Sequence, residues 1–340
     1  MRRGALLGFG NVAEKGHLPA WLQRRDVEIV AVLDADAERR SLAARVLPEA
    51  SVYEDAGALF RRERLDFVDI ATPPALHAPL IVQAARHRCH VLCEKPLATS
   101  AADYRMVVRA VSEAGVTLFT VHNWKHSEPF RRISRILRED GIGALKGIRF
   151  ETVRNGQSVT VGEEWRTRAE IAGGGILVDH GWHNFYLLLG LTGERPLRVR
   201  AVTERRRYAA ADVEDTAECR IEFPSLTAEV HLTWAGAERR TSWHLQGEHG
   251  SLRLDDERLE VRRGARHEAH ELPESLSAGS HHPEWFGGVI EEFLAEVDGH
   301  TPRGTNLSEA ECCLAILDLA YRSARAGGEF LRYDPAAQSN

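Results

Sequence analysis

The chain has 340 residues, of which 43% are hydrophobic and 28% are charged, and its formal net charge is −6. This length is too great for one compact core and fits two domains of ordinary size. The acidic balance argues against a nucleic-acid partner. No stretch approaches the ~20 uncharged apolar residues of a membrane span, so we expect no membrane association.

The first residues, MRRGALLGFG, raise the question of a signal peptide. Their apolar run is too short and no small-residue cleavage site follows, so we interpret this stretch as a buried strand. The five cysteines show no framework spacing, and their number is odd. Both features favour a reducing compartment, and we predict a cytoplasmic protein.

The first 122 residues alternate short apolar runs with helical patterns. Strands that are apolar throughout, alternating with helices, are typical of a parallel sheet covered on both faces. The predicted strands are 4–10, 27–34, 67–72, 90–95 and 116–122, and the predicted helices are 13–25, 36–46, 77–88 and 100–114. We therefore predict an α/β, doubly wound domain over residues 1–122.

The pattern changes in residues 123–340. An amphipathic helix at 128–139 and an apolar helix within 173–190 precede segments with a period of two. The predicted strands are 197–208, 216–223, 227–235, 241–248, 250–256 and 258–264, and two closing helices span about 283–298 and about 307–326. We predict an α+β domain built on a large, mostly antiparallel open β-sheet.

The motif GFGNVA, residues 8–13, lies directly after the first strand and opens a helix, as a dinucleotide-binding fingerprint requires. Gly8 permits a tight turn, and Gly10 lets a pyrophosphate approach the backbone. The second strand ends in Asp34, where a carboxylate can accept hydrogen bonds from ribose hydroxyls and repel a 2′-phosphate. We predict NAD as the cofactor, while the nearby Arg39 and Arg40 keep NADP possible.

Two further motifs close strands at the edge of the predicted sheet where open α/β sheets bind ligands. ATPPALH ends the third strand, and CEKPLA ends the next. In the second motif Glu94 and Lys95 would point into the same crevice, and Pro96 permits a cis bond after Lys95. The predicted cofactor contacts are Gly8, Gly10, Asn11, Val12, Asp34, Thr72, Pro73, His77, Glu94 and Lys95.

The segment GGGILVDHGWHNFYLLLG, residues 173–190, places an acid and a base four residues apart in an apolar context. Residues with this spacing lie on one helical face. Asp179 and His183 are therefore candidates for a shared site, although an isolated histidine in an apolar segment is more often a satisfied core residue.

Together these motifs resemble the glucose-fructose oxidoreductase / inositol dehydrogenase / rhizopine catabolism (Gfo/Idh/MocA) family. The resemblance rests on GFGNVA, TPPALH, CEKPLA and GGGILVDHGWH, and GEHGSLRLDD adds support. It covers almost the whole chain. It implies a Rossmann domain, a second domain that oligomerises through its sheet, and hydride exchange between NAD(P) and a hydroxyl or carbonyl carbon of sugars, cyclitols or their derivatives.

The resemblance also implies roles for three catalytic residues. Lys95 matches the lysine of the EKP motif, and Asp179 and His183 match the acid and base of the second motif. His183 would take the hydroxyl proton during oxidation, since the usual pKa of histidine lies near neutral pH. Lys95 would stabilise negative charge on the same oxygen, and Asp179 would bind substrate or orient its neighbours.

The sequence departs from the family where it is expected to bind substrate. Three residues after the catalytic histidine the family often has an acid, and this chain has Tyr186. After the fifth strand the family often has an arginine-phenylalanine pair, and this chain has HNWKHSEPF. The predicted substrate contacts are His122, Asn123, Lys125, Trp165, Arg166 and His180. The substrate is expected to be a polyhydroxylated small molecule.

Three alternatives stay open. A metal site would combine His122 and His126 with Asp179, His180 and His183, although the resemblance implies no metal and we expect none. A redox sensor would hold NAD(H) without turnover. An internal-redox enzyme of the hydrolase, epimerase or lyase type would regenerate NAD in place. We also expect a homo-oligomer, dimer or tetramer, because one apolar face of the second sheet needs a cover.

Overall fold

The computed structural model describes residues 1–139, 141–157, 164–278 and 281–335. Within these ranges, the N-terminal part forms a six-stranded parallel sheet with the order β3-β2-β1-β4-β5-β6. Its strands are β1 Arg2–Leu7, β2 Val27–Leu33, β3 Ser51–Tyr53, β4 Phe67–Ile70, β5 His90–Cys93 and β6 Leu118–Thr120. The order reverses between β1 and β4, which creates the crevice in which such sheets bind ligands.

Helices connect these strands in the doubly wound arrangement. They are α1 Leu18–Leu22, α2 Ala37–Val46, α3 Ala56–Arg62, α4 His77–Arg86 and α5 Ala101–Ala114. A π-helical turn, Ala13–His17, precedes α1. The side chains of Asp36, Asp55 and Ser100 cap the N-termini of α2, α3 and α5, which satisfies backbone N–H groups that have no partner within the helix.

The second sheet of the described chain has nine strands in the order β14-β13-β12-β11-β7-β10-β9-β8-β15. Only β7 and β10 pair in parallel, and the other neighbours are antiparallel. The strands are β7 Leu145–Asn155, β8 Arg198–Glu204, β9 Thr216–Glu222, β10 Thr227–Thr233, β11 Ala235–Gly247, β12 Gly250–Asp255, β13 Arg258–Arg263, β14 Arg266–Glu271 and β15 Leu331–Arg332. The predicted combination of a Rossmann sheet and a large, mostly antiparallel sheet is confirmed.

The helices of the second part are α6 Glu128–Arg138, α7 Ala169–Ala172, α8 Trp182–Thr192, α9 Pro283–Val297 and α10 Thr305–Arg325. Helix α9 packs against the first sheet rather than the second. Its Phe293 makes edge contacts with Phe67 and Phe119, with ring centroids 6.0 and 6.2 Å apart. The predicted boundary at residue 122 therefore separates the strands of the two sheets. It does not separate the helices, because α9 follows this boundary in the chain but packs on the first sheet.

Several predicted elements differ from the observed ones. The predicted helix 13–25 begins with the π-helical turn, and the predicted strand 197–208 ends at Glu204. Strand β11 begins at Ala235, earlier than the predicted residue 241. Strand β14 was not predicted, because five of its six residues are exposed and its sequence RHEAHE has no apolar alternation. The short elements β3, α3 and β15 were not predicted either, because their sequences show no clear apolar periodicity.

One face of the second sheet is charged, and the expected apolar open face is not observed. Along the central strands, apolar residues alternate inward while Arg149, Glu218, Arg220 and Glu229 face outward. Arg149 and Glu229 form an exposed ion pair. The inward face is covered by the chain's own helices, and α10 in particular packs on β8. Among the described helices, none is long and apolar enough to cross a membrane.

Candidate active site

The turn after β1 has the geometry of a dinucleotide-binding loop. Gly8 has a φ of +89°, and an added Cβ would meet the Ala71 carbonyl oxygen at 2.8 Å. Both facts require glycine. An added Cβ on Gly10 would instead find no described atom within 4 Å, so the space above Gly10 is open. Asn11 and Val12 continue from this turn into the helix.

Asp34 lies beside this turn at the end of β2. Its Oδ2 accepts the backbone N–H of Phe9 at 2.6 Å, and its Oδ1 accepts that of Asp36 at 2.8 Å. These bonds hold the carboxylate next to the glycine turn. Arg39 donates to the Phe9 carbonyl oxygen and to Glu14, and Arg40 donates to backbone oxygens of 34 and 35. Both arginines are thus engaged by protein acceptors.

His77 holds together the loops that follow β4 and β5. It is fully buried, and its ring nitrogens lie 2.8 Å from the Pro96 carbonyl oxygen and 2.9 Å from that of Thr72. Direct contact between this side chain and a cofactor is therefore blocked. His77 would influence cofactor binding only by holding the loops at Thr72 and Pro96 in position. The Lys95–Pro96 bond is cis.

A buried ionic chain lies beneath the crevice and was missed by sequence reasoning. His17 Nδ1 lies 2.8 Å from Asp69 Oδ2, and its Nε2 lies 3.0 Å from Glu94 Oε1. Burial alone would lower the pKa of His17, but the two carboxylates raise it to about 10. His17 is therefore an imidazolium at neutral pH. Glu94 Oε2 accepts the backbone N–H of Lys95, whereas the Lys95 side chain extends to Asp179 of the second domain. No sequence motif links His17, Asp69 and Glu94.

The three glycines before Asp179 permit close packing rather than a free hinge. An added Cβ on Gly174 would collide with the Tyr321 hydroxyl, and one on Gly175 would collide with the backbone oxygen of Glu214. The buried Glu214 carboxylate accepts the N–H groups of Gly175 and Leu177 at 3.2 and 2.9 Å. A carboxylate thus anchors the start of the next helical segment.

Asp179 lies in a π-helical turn, Leu177–Gly181, which runs into α8. Such turns are rare and frequently occur at functional sites. Lys95 Nζ donates to Asp179 Oδ1 at 3.0 Å and to its backbone oxygen at 2.6 Å. Burial opposes the charge of Asp179, but Lys95, His180 and Arg166 outweigh it and hold its pKa well below the usual value. Asp179 and Lys95 therefore form an ion pair that joins the two halves of the chain.

His183 lies in the first turn of α8 and is 8% exposed. Its ring stacks on Trp124 with centroids 4.6 Å apart and planes 15° apart. Its Nδ1 lies 2.7 Å from the Tyr186 hydroxyl, and no hydrogen bond joins its Nε2 to a described residue. Burial lowers the pKa of His183 well below its usual value. The imidazole is therefore neutral at physiological pH.

Several of the predicted ligand-binding residues have buried polar atoms without a protein partner. Buried polar groups are normally hydrogen-bonded, so such atoms indicate places for ligand or water. The atoms without a hydrogen-bond partner in the described chain include Thr72 Oγ1, Asn123 Oδ1 and Arg166 Nε, whereas Asp179 Oδ2 and His180 Nδ1 lie 3.2 Å from each other. Arg166 also stacks over the Trp165 ring at 4.4 Å. These residues support a binding site around Asp179.

His122 and Lys125, in contrast, are already paired. His122 Nδ1 donates to Glu309 at 2.7 Å, and its Nε2 accepts the Trp182 indole N–H at 3.2 Å. Lys125 donates to the other oxygen of Glu309. The five residues of the alternative metal site are thus not gathered around one point. Within the described residues, no group of three or more His, Cys, Asp or Glu side chains could hold a metal ion.

The fold and site define a two-domain oxidoreductase with an NAD-binding Rossmann sheet and an ion pair at the domain junction. A family model described as "Oxidoreductase family, NAD-binding Rossmann fold" matches residues 2–122. The Gfo/Idh/MocA C-terminal domain model matches residues 130–253. The chain belongs to the Gfo/Idh/MocA oxidoreductase family, as its motifs predicted.

Known proteins similar to this chain support that placement. D-apiose dehydrogenase of Paraburkholderia graminis is 34% identical over 266 residues, which are 76% of this chain and 69% of that protein. 1,5-Anhydro-D-fructose reductase of Ensifer adhaerens is 28% identical, with 74% of this chain and 75% of that protein covered. An oxidoreductase structure from Agrobacterium radiobacter, in complex with NAD⁺, L-tartaric acid and magnesium, has the same fold. Its TM-score is 0.84 at 23% identity, covering 97% of this chain and 98% of that one.

Proposed function

We propose that this protein interconverts a hydroxyl and a carbonyl group on one carbon of a sugar-like, polyhydroxylated substrate. The observation that carries the proposal is the Lys95–Asp179 ion pair with His183 beside it. The pair joins the end of a Rossmann strand to the π-helical turn of the second domain, at 3.0 Å. An acid, a base and a neutral imidazole at that junction suit proton exchange with a substrate oxygen.

The residues of the N-terminal loops fit a dinucleotide. The open space at Gly10, the φ of Gly8 and the carboxylate of Asp34 are the features that a pyrophosphate and a ribose require. Bound NAD supplies the acceptor or donor of the hydride at its nicotinamide ring. We place Gly8, Gly10, Asn11, Val12, Asp34, Thr72, Pro73, Glu94 and Lys95 around it, with His77 supporting their loops.

The chain's own groups bind and orient the reacting oxygen. In this proposal Lys95 and His183 hydrogen-bond it, one of the two exchanges its proton, and Asp179 keeps Lys95 in place. Both side chains are little exposed, with 12% of the Lys95 side chain and 8% of His183 accessible. Low exposure excludes bulk water and strengthens these polar interactions.

Asn123, Trp165, Arg166 and His180 form the substrate-binding part of the site in this proposal. An indole face suits a sugar ring, and the unpartnered polar atoms of Asn123 and Arg166 suit hydroxyl groups. His122 and Lys125 both bind Glu309 and, in this proposal, support these residues without contacting the substrate themselves. The named relatives, which act on D-apiose and 1,5-anhydro-D-fructose, support a small sugar or sugar derivative.

The test is a steady-state assay at the NADH absorbance band with NAD and then NADP, across sugars, sugar acids, aminosugars and cyclitols. We expect net cofactor turnover with one substrate group and a preference for NAD. His183→Ala should lose turnover and keep NAD binding by calorimetry. Near-wild-type kcat in that variant would remove His183 from catalysis. Substrate conversion without net NADH formation would indicate internal redox chemistry, and NAD binding without any conversion a sensor.

We also propose a cytoplasmic location and assembly as a dimer or tetramer through the second sheet. The five cysteines are free and buried, which suits a reducing compartment. The outward face of that sheet carries charges of both signs, so a second copy could pair with it through complementary charges.

A further inference from the structure

Tyr186 occupies the position at which the family often has an acid, and its hydroxyl group has two partners. The residue is fully buried. Its oxygen accepts the backbone N–H of Trp124 at 3.0 Å and lies 2.7 Å from Nδ1 of His183. A backbone N–H can only donate, so the Tyr186 oxygen is the acceptor in the first of these bonds.

The proton of the Tyr186 hydroxyl has one available acceptor. Among the described residues, no group other than His183 Nδ1 lies within reach to receive it. The opposite arrangement, with Nδ1–H donating to the tyrosine, would leave a buried hydroxyl proton without a partner. A buried donor without a partner loses its hydrogen bond to water without gaining another, which destabilises that arrangement. The hydrogen bonds therefore run from Trp124 N–H to the tyrosine oxygen, and from the tyrosine O–H to Nδ1.

We infer that Tyr186 is a positioning residue that holds His183 in the tautomer with its proton on Nε2. His183 then presents an N–H donor to the substrate oxygen, and Lys95, rather than His183, exchanges the proton with that oxygen. The inference rests on the proposed function and assigns the roles within it. It differs from the role of His183 that the family resemblance implies.

The proton balance follows from this assignment. A neutral imidazole with a proton on Nε2 has no lone pair there to receive another. In reduction, a hydride and its electron pair pass from the bound nicotinamide to the carbonyl carbon, so C=O becomes C–O. The oxygen takes its proton from the Lys95 ammonium, whose N–H bond breaks, and the lysine then regains a proton from water. Oxidation is the reverse of these steps and therefore begins after Lys95 has given a proton to water. His183 Nε2–H donates to the oxygen in both directions.

The geometry around the two groups agrees with these roles. Trp124 stacks on the His183 ring and limits its rotation. Lys95 keeps its contact with Asp179, whose carboxylate stabilises the ammonium. A carboxylate at position 186 would have the opposite effect, because it accepts bonds from both Trp124 N–H and Nδ1–H. Nε2 would then carry no proton, and its lone pair could act as a base.

The test measures the tautomer directly. In protein labelled with ¹⁵N-histidine and saturated with NAD, two-bond ¹⁵N–¹H correlations identify the protonated nitrogen, and His183→Gln assigns the signal. We expect Nε2–H in the wild type, Nδ1–H in Tyr186→Glu, and loss of the single tautomer in Tyr186→Phe. Nδ1–H in the wild type overturns the inference. So does Nε2–H that is unchanged in both variants.

A second measurement tests the division of roles. A glutamine can donate an N–H near the position of Nε2 but cannot exchange a proton. We expect His183→Gln to keep a kcat at least about tenfold above that of His183→Ala, which corresponds to about 1.4 kcal/mol. Equal kcat values in the two variants would contradict this division and indicate that His183 itself exchanges the proton. If no substrate is turned over by the wild type, the proposed function fails, while the tautomer measurement remains decisive.

Discussion

Single residues carry the proposed chemistry, and Lys95 is the one whose replacement should change it most. Its ammonium is the main counter-charge of Asp179. In Lys95→Met, we expect kcat to fall by about 10²–10⁴-fold, because proton exchange is removed. Stability should also fall, since the Asp179 side chain, only 15% exposed, then lacks its main partner.

The matched control is Lys146→Met, which removes an exposed lysine paired with Glu248. Exposed pairs contribute about 0–1 kcal/mol, so this variant should keep its kcat and its melting temperature. Steady-state kinetics and thermal unfolding measure both effects. A Lys95→Met enzyme with the activity of the control would contradict the role of Lys95.

At the residue scale, sequence patterns predicted candidate side chains for the chemistry but not their partners. Lys95, Asp179 and His183 were predicted from short motifs, and the structure brings them together. His17, Glu214 and Glu309 were not predicted, because each acts through a partner far away in the chain. A contact between residues that are 77 positions apart, such as His17 and Glu94, leaves no local periodicity.

Among the elements, the segment from Gly173 to Thr192 depends on close backbone packing. In Gly175→Ala, the added Cβ collides with the Glu214 backbone oxygen. We expect a loss of about 1–3 kcal/mol of stability, together with reduced activity, because the turn that carries Asp179 must shift. Gly287→Ala is the control, since this residue lies in α9 and an added Cβ meets no described atom within 4 Å.

The control should be neutral or slightly more stable, because alanine favours a helix over glycine by about 1 kcal/mol. Urea unfolding of both variants measures the difference. Equal stability of the two variants would show that the turn accommodates a Cβ atom at residue 175 without strain.

The π-helical turn before α1 is tied to β4 and β5 by His17. The usual pKa of histidine is about 6.5, and the folded value is about 10. Because the folded pKa is raised, this stabilisation is complete below about pH 6.5 and is lost as the pH rises through about 10. We expect the free energy of unfolding of the wild type to fall across this window by on the order of a few kcal/mol, and its melting temperature to fall with it.

His17→Gln should be less stable at pH 7 and should lose most of this pH dependence. His267→Gln, which changes an exposed histidine on β14, should follow the wild-type profile. Thermal unfolding between pH 6 and pH 10 separates the variants. Parallel profiles for all three proteins would contradict the charged state of His17.

At the scale of the whole molecule, the second sheet is the surface on which assembly is proposed. Its outward residues include the exposed pairs Arg149–Glu229 and Arg198–Glu222. An interface built on such charges is screened by salt. We therefore expect light scattering to give the mass of a dimer or tetramer at low ionic strength and a smaller mass at about 1 M salt.

Arg149→Glu should also reduce the mass, since it places like charges at the centre of this face. Arg86→Glu, on α4 of the first domain, is the control for charge reversal. A monomer at every ionic strength would refute assembly through the sheet, and a salt-independent oligomer would place the interface elsewhere.

The sequence by itself determined the class of fold and the candidate residues of the site. Alternation of apolar strands and helices is a local property, and so is the spacing of glycines, Asp179 and His183, because neighbouring residues set both. Only the tertiary structure decided how these residues are paired and charged. Burial, the approach of Trp124 and Tyr186 to His183, and the bond from His17 to Glu94 join distant segments. Hydrogen bonding and desolvation in those contacts set protonation and tautomer, which no local pattern encodes.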